Sequence, residues 1–401
     1  MGDLAQLRKT TGAALCLECG KCSTMCPLAP FGGFSAARMM SMHDPDTEIH
    51  GHAEAVERCL TCASCEVRCP QGVRYTEFVL GLRQELPAQS RRPRPHGEVF
   101  QMAARVSGET GHGRPVVWLR EGLRVAEEGD VALFVGCLPI FDVVFGDEFQ
   151  VEMVEIARAA VRLLNRLGIE PVVLGEECCC GHDLLWSGDQ EDFEILARKN
   201  VEVFQSHGIK HILTVCAECC RTWRVDYPEV VDGYRPRVEH LSEFLAPRLE
   251  TEGLSFQPSA NGAVTYQDPC RLGRQLGVLD QPRQLLQAVP GADLVEMEFS
   301  GSDALCCGTA GFVHCDSVSR ELQAQRLRSA AATGASKLVT ACPKCLLHFR
   351  CAQTEDQRMN HGSETEIEVE DLTVYLANLV ADPSDSENTQ EAETSQTGER
   401  R

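Results

Sequence analysis

Two cysteine runs of identical spacing constrain this chain more than anything else in it. Cys16-x2-Cys19-x2-Cys22-x3-Cys26-Pro27 recurs as Cys59-x2-Cys62-x2-Cys65-x3-Cys69-Pro70. Three thiols set two residues apart let one loop wrap three corners of a compact group, while the fourth leaves on another trajectory. This is the spacing of a [4Fe–4S] ligand run, and in two-cluster ferredoxins the fourth cysteine ligates the other cluster. The runs therefore predict one cluster on Cys16, Cys19, Cys22 and Cys69, and a second on Cys59, Cys62, Cys65 and Cys26. Zinc also uses C-x2-C pairs, but it has no need of eight thiols in two matched runs that each close on proline. Helical stretches at about 35–42 and 53–60 make residues 1–86 read as an α-helical dicluster ferredoxin domain.

A second repeat follows. The apolar run 131–135 leads to Gly136-Cys137, a helical stretch covers about 151–167, and 171–174 reads as a strand before Cys179-Cys180-Gly181. A helix at about 191–207 then precedes the strand 211–215, which runs into Cys216-x2-Cys219. The same order returns behind it: 263–266 before Cys270, a helix at about 282–288, 294–297 before Cys306-Cys307-Gly308, a helix at about 317–332, and 337–340 before Cys342-x2-Cys345. Such alternation predicts βαβ units with parallel pairing, and cysteines at the carboxyl ends of strands stand where α/β sheets place ligands. The predicted fold class is thus multidomain, with two repeated α/β domains, 130–255 and 256–382, behind the helical ferredoxin domain. Residues 87–129 open on PAQSRRPRPHG and read as a linker. Residues 383–401, polar and acidic, read as a disordered tail.

Each α/β repeat supplies five thiols: Cys137, Cys179, Cys180, Cys216 and Cys219, then Cys270, Cys306, Cys307, Cys342 and Cys345. Five exceed what a cubane or a zinc ion takes, and adjacent cysteines suit one tetrahedral ion poorly. The glycine after each pair permits positive φ or close backbone approach. A larger iron–sulfur assembly explains the set better than zinc. Cys178 precedes the first pair, which leaves open which two of Cys178, Cys179 and Cys180 ligate; the glycine phasing favours the last two. These assignments use 18 of the 22 cysteines. Cys178, Cys220, Cys315 and Cys351 read as small buried apolar side chains. His182, Asp183 and His314, close behind the CysCysGly motifs, are candidate proton donors to a released thiolate, against the commoner role of core or surface side chain.

A chain of 401 residues builds a core without disulfide staples, so reduced thiols and a cytoplasmic location are expected. The sequence has no apolar run near the roughly 18 residues of a membrane span, and its start lacks a secretory pattern. The formal net charge of −21 argues against nucleic acid, whose phosphates need clustered Lys and Arg. No glycine-rich phosphate loop stands in a credible strand–helix setting, which places any flavin or nicotinamide on a partner.

The segments CLECGKCSTMCP, CLTCASCEVRCPQGV, ECCCGHDLLWSGD, DPCRLGRQLGV, ALCCGTAG and ACPKCLLHF resemble heterodisulfide reductase. The front domain is similar to that enzyme's C subunit and the repeats to the CCG domains of its B subunit. Joined over about residues 10–380, they resemble the fused, D-type subunit. The resemblance implies that each repeat's five cysteines hold a non-cubane [4Fe–4S] cluster. It also implies that a flavoprotein or other electron-donor subunit feeds single electrons to the front clusters, and that the rear pair reduces a disulfide or oxidises a dithiol. A membrane cytochrome is a second partner of the kind implied. Cys178, Cys220 and the segment 309–312 depart from the family pattern, the last where relatives often carry more glycine. The iron–sulfur subunits of glycolate and lactate dehydrogenases share the layout and length. Complete five-cysteine sets and ACPKCLLHF favour the heterodisulfide branch. A non-catalytic electron relay within a larger complex is the third reading.

Overall fold

The computed structural model describes residues 4–32, 35–40, 53–86, 94–109, 116–260, 262–308, 315–359 and 366–381. The expected tail, His314 and the segment 309–312 lie outside these residues. Short apolar runs at the predicted places become strands. Val131–Phe134 (β1), His211–Thr214 (β2) and Arg237–His240 (β3) form a parallel sheet in the order β1-β2-β3, with Ala132 opposite Ile212 and Ile212 opposite Val238. Val264–Gln267 (β4), Lys337–Thr340 (β5) and Glu368–Asp371 (β6) repeat it, with Leu338 between Thr265 and Val369. All four residues of β4 and of β5 are buried, as parallel strands covered on both faces require.

The helices Val154–Arg166, Gln190–Ser206, Asp280–Gln287 and Ser317–Ala331 fall within a few residues of the predicted stretches. Two predicted strands do not form. Residues 171–174 and 294–297 make only isolated parallel bridges, Val172 beside Ala132 and Leu294 beside Val264. In the first, Pro171 has no N–H to extend the ladder. Conversely β3 and β6 are not predicted: each strand holds one apolar residue, Val238 or Val369, between charged neighbours. The linker also carries a helix, Val99–Glu109, buried through Phe100, Gln101, Ala104 and Ser107. It packs so closely that a Cβ on Gly108 would meet Leu196 Cδ2 at 2.5 Å.

The front segment holds the helices Leu4–Thr10, Lys21–Thr24, Ala36–Met40, Ser64–Val67 and Tyr75–Glu85, with 53–58 also helical, and no strand among the described residues. Behind it the two α/β repeats share one core, in which Leu133, Leu163 and Leu213 join Leu285, Leu338 and Leu376. Each fully buried leucine contributes about 2 kcal/mol by removal from water. The helix after β3, Leu241–Leu245, packs on Asp280–Gln287, and the helix after β6, Leu372–Leu379, packs on Val154–Arg166. These are equivalent pairs, so each repeat offers the other the same surface, as protomers do across a two-fold interface. Among the described residues, no helix is long and apolar enough to cross a membrane.

Candidate cluster-binding sites

The front cysteines sit on two loops with one winding. Glu18 (φ 52) and Gly20 (φ 76) in the first loop correspond to Thr61 (φ 45) and Ala63 (φ 60) in the second, all left-handed. Side chains other than glycine adopt that region at a cost of about 1–2 kcal/mol each, so the surrounding contacts impose the winding. In these turns the N–H of Glu18 donates to Cys16 Sγ and that of Thr61 to Cys59 Sγ, both at 3.4 Å. The rear pairs repeat the device. Gly181 N–H donates to Cys179 Sγ and Gly308 N–H to Cys306 Sγ, again at 3.4 Å, with φ of 78 and 82. Glycine is required there for space as well: a Cβ on Gly181 would meet Phe193 Cδ2 at 2.9 Å, and one on Gly308 would meet Ser319 O at 3.1 Å.

Cys16, Cys19, Cys22 and Cys69 line one cavity of about 440 Å³ that opens to solvent, beside Cys65, Met40 and Tyr75. Cys26, Cys59, Cys62 and Cys65 form a second group. Burial pushes the Cys26 and Cys65 thiols well above their ordinary range, and the neighbouring Cys62 and Cys59 push in the same direction. Cys59 rises to about 11 by burial, against the opposing charge of Arg83. Cys62 goes the other way, to about 6, chiefly through its hydrogen bond with Cys306 and then the charge of Arg274.

In the first α/β repeat Cys137 Sγ lies 2.9 Å from Cys179 Sγ, and Cys219 Sγ 3.5 Å from Cys180 Sγ. Cys216 meets Cys219 and also Cys342 of the second repeat. All five line a cleft of about 320 Å³ together with His182, Asp183, Glu218 and, from the second repeat, Lys344. In the second repeat Cys345 Sγ lies 3.2 Å from Cys307 Sγ, and Cys306 meets Cys270, Cys307 and Cys62. Thiol contacts thus lead from the front domain through Cys62 and Cys306 into the second repeat, and through Cys342 and Cys216 into the first.

Cys178 turns away from this group. Its Sγ faces Leu196 O at 3.7 Å, and its N–H donates to Asn200 Oδ1 at 2.9 Å. Asn200 Nδ2 also donates to Cys178 O, Cys179 O and Tyr227 Oη, while Tyr227 Oη donates to Cys180 O at 3.1 Å and Ser107 Oγ accepts from Cys179 N at 3.1 Å. These three residues shape the first CysCysGly turn, and the sequence reading did not find them. The available signal was Asn200, a lone amide on the buried stripe Phe193, Leu196, Ala197, Val201 and Phe204. Of the other spare cysteines, Cys220 accepts from Arg224 Nη2 at 3.4 Å, and Cys315 and Cys351 sit near one another beside Arg320 and Glu355.

A buried charge network crosses the junction of the repeats. Lys344 pairs with both Asp183 and Glu218, and Glu218 Oε1 lies 3.3 Å from His182 Nε2. Burial pushes Asp183 up to about 6 and His182 down to about 4. Glu218, despite burial, is held well below the carboxylate range by His182 and Lys344. Glu218 and Lys344 fill the same third position of their C-x2-C motifs, as Cys216 and Cys342 fill the first. Contacts between equivalent positions lie on the axis that relates the repeats.

The donor set fits iron–sulfur clusters. Grouped thiols, N–H···S bonds and an apolar surround are the features by which proteins hold and tune them. The rear cysteines supply grouped thiols and N–H···S bonds, and most of them are buried.

Comparison with known proteins agrees with this layout. Residues 131–223 and 264–350 match the cysteine-rich domain family called CCG, and residues 11–73 match the 4Fe-4S dicluster domain family. The chain is 30% identical to the D subunit of dihydromethanophenazine:CoB–CoM heterodisulfide reductase from Methanosarcina mazei, over 82% of this chain and 86% of that one. It is 28% identical to the B subunit of fumarate reductase (CoM/CoB) from Methanothermobacter marburgensis, over 87% of this chain and 69% of the other. It is 30% identical to EtfAB:quinone oxidoreductase of Syntrophomonas wolfei, over 73% of this chain but 43% of that protein. A hypothetical protein from Helicobacter pylori shares the fold, with a TM-score of 0.55 at 10% identity, covering 94% of this chain and 77% of its own.

Proposed function

This chain belongs to the family of heterodisulfide reductase D subunits, which are iron–sulfur oxidoreductase components, and from that premise we propose that it carries single electrons from a partner to its rear cysteines, where a disulfide becomes two thiols or the reverse. In this reading Cys16, Cys19, Cys22 and Cys69 hold one [4Fe–4S] cluster, and Cys59, Cys62, Cys65 and Cys26 hold the other. Cys137, Cys179, Cys180, Cys216 and Cys219 hold a non-cubane cluster in the first repeat. Cys270, Cys306, Cys307, Cys342 and Cys345 hold its counterpart in the second. Bound there, the clusters supply one-electron transfer. The partner is a flavoprotein or a membrane cytochrome, and the chain works in the cytoplasm.

The observation that carries this reading is the unbroken series of thiol contacts, Cys62 to Cys306 and Cys342 to Cys216, ending at a cleft lined by all five cysteines of the first repeat. The protein's own side chains prepare that cleft. Apolar Leu138 and Phe141 exclude water from one side. Lys344 holds Asp183 and Glu218 in place. Asp183, whose carboxyl burial raises to about 6, lines the cleft as the proton donor to a released sulfur, while burial lowers His182 to about 4 and so keeps its imidazole neutral. Reduction of one disulfide consumes two electrons and two protons. The balance needs both a wire and a proton source.

The test is an anaerobic assay of the cluster-loaded chain with reduced viologen and a panel of disulfides. Turnover with at least one is expected; no turnover with any contradicts the reading. A relay without its own substrate is favoured by one observation: eight of the ten rear cysteines are buried, and the other two, Cys137 and Cys270, are partly buried.

A further inference from the structure

Arg271, immediately after Cys270, touches all three parts of the chain. Its side chain is 2% exposed. Nη1 donates to Thr61 O in the front domain, and Nη2 donates to Thr61 Oγ1 at 2.8 Å. Nε lies 3.4 Å from His182 Nε2 in the first repeat, and Cζ stands 4.0 Å from the centre of the Trp186 ring. Its neighbours tighten the same junction. Arg274 Nε donates to Cys62 O at 2.6 Å, and Gln275 Nε2 donates to Thr61 O at 3.2 Å. The segment after Cys270 therefore grips the loop whose Cys62 meets Cys306.

Among the described residues no carboxylate pairs with Arg271. A buried cation without a counter-charge is strongly unfavourable. The acidic groups within its field are thiols, Cys59 and Cys62 of the front domain and Cys270 of the second repeat, and the cations Arg83 and Arg221 share that field, which leaves still more positive charge to be answered. Thiolates gathered on a metal cluster are the negative charge that such a cation answers. A cluster gains one further negative charge on reduction, so a fixed cation beside it favours the reduced form.

We infer that Arg271 is a positioning residue whose charge raises the reduction potentials of the two centres it lies between, the front one on Cys26, Cys59, Cys62 and Cys65 and the rear one on Cys270, Cys306, Cys307, Cys342 and Cys345. It acts on the clusters' electronics and not on the substrate. The inference rests on the cluster assignment given under Proposed function.

The test is a redox titration of the full chain, isolated without air and followed by electron paramagnetic resonance, with iron counted in every sample. In R271Q the potentials of these two centres shift to more negative values, while the front centre on Cys16, Cys19, Cys22 and Cys69 keeps its own. R271K restores most of the shift, since lysine keeps the charge while losing the two-pronged grip on Thr61. Wild-type protein without rear iron overturns the cluster assignment itself. Full iron in R271Q with unchanged potentials overturns the role of Arg271 alone. Equal shifts in R271K and R271Q show that packing, not charge, is responsible, and overturn it as well. Where R271Q fails to retain its clusters, R271K decides: wild-type potentials support the inference and lowered ones reject it.

Discussion

Asp371 shows how much one residue contributes to the rear half. It closes β6 and caps the helix Leu372–Leu379, accepting from Thr373 N at 2.8 Å. Burial pushes its carboxyl up from 3.8 to about 7. A folded-state value above the unfolded one means that the native chain holds the proton more tightly. The resulting stability is fully present below about pH 4 and is lost as pH rises through about 7, on the order of a few kcal/mol. Asparagine caps a helix as well as aspartate, so D371N keeps the hydrogen bond and drops the buried charge. Denaturant melts from pH 4 to 8 should show a weaker pH dependence in D371N than in the wild type, and D371N should be the more stable at pH 8. The CysCysGly glycines give a second prediction. G181A and G308A force a Cβ into Phe193 and into Ser319 O at positive φ, at about 1–3 kcal/mol of strain. Each should release about four irons per chain, those of its own repeat, as read by iron analysis. The cysteines were legible in the sequence because their spacing is local. Asn200, Tyr227 and Ser107 were not, because they come to the Cys178–Cys180 turn from distant positions, as the sequence separations of 22 and 72 to Asn200 and Ser107 illustrate.

Among elements, the strands that deliver cysteines, β1, β2, β4 and β5, were legible from their apolar runs. The third strands were not, since β3 and β6 carry one valine each among charged residues and are strands through pairing with β2 and β5. The junction between C-x2-C motifs was hidden for the same reason: Glu218 and Lys344 look like surface charges until the fold buries them together. That burial has a measurable consequence. K344M leaves Asp183 and Glu218 buried without their cation, and should cost about 3–5 kcal/mol. Adding E218Q removes one of the two stranded carboxylates and should recover part of the loss. Anaerobic urea melts of the single and double variants check this; equal stability of K344M and wild type would contradict the network as described.

At the scale of the whole molecule, the order of domains was readable from repeats alone, while the way they dock was not. Buried Arg83 joins the front domain to the first repeat by donating to Glu57 O, Cys59 O and Trp186 O, and nothing in its local sequence announces that role. The docking makes the ligand crossing between front loops testable. If the fourth cysteines exchange clusters, C69S and C19S abolish the same paramagnetic signal and C26S abolishes the other. Should C69S instead remove the signal lost in C62S, the loops do not exchange ligands. The function proposed for the chain depends on metal at both ends of the thiol series. Iron analysis of the full chain purified without air tests that most directly. Four tetranuclear clusters predict about sixteen irons per chain; about eight, confined to the front domain, would contradict the account.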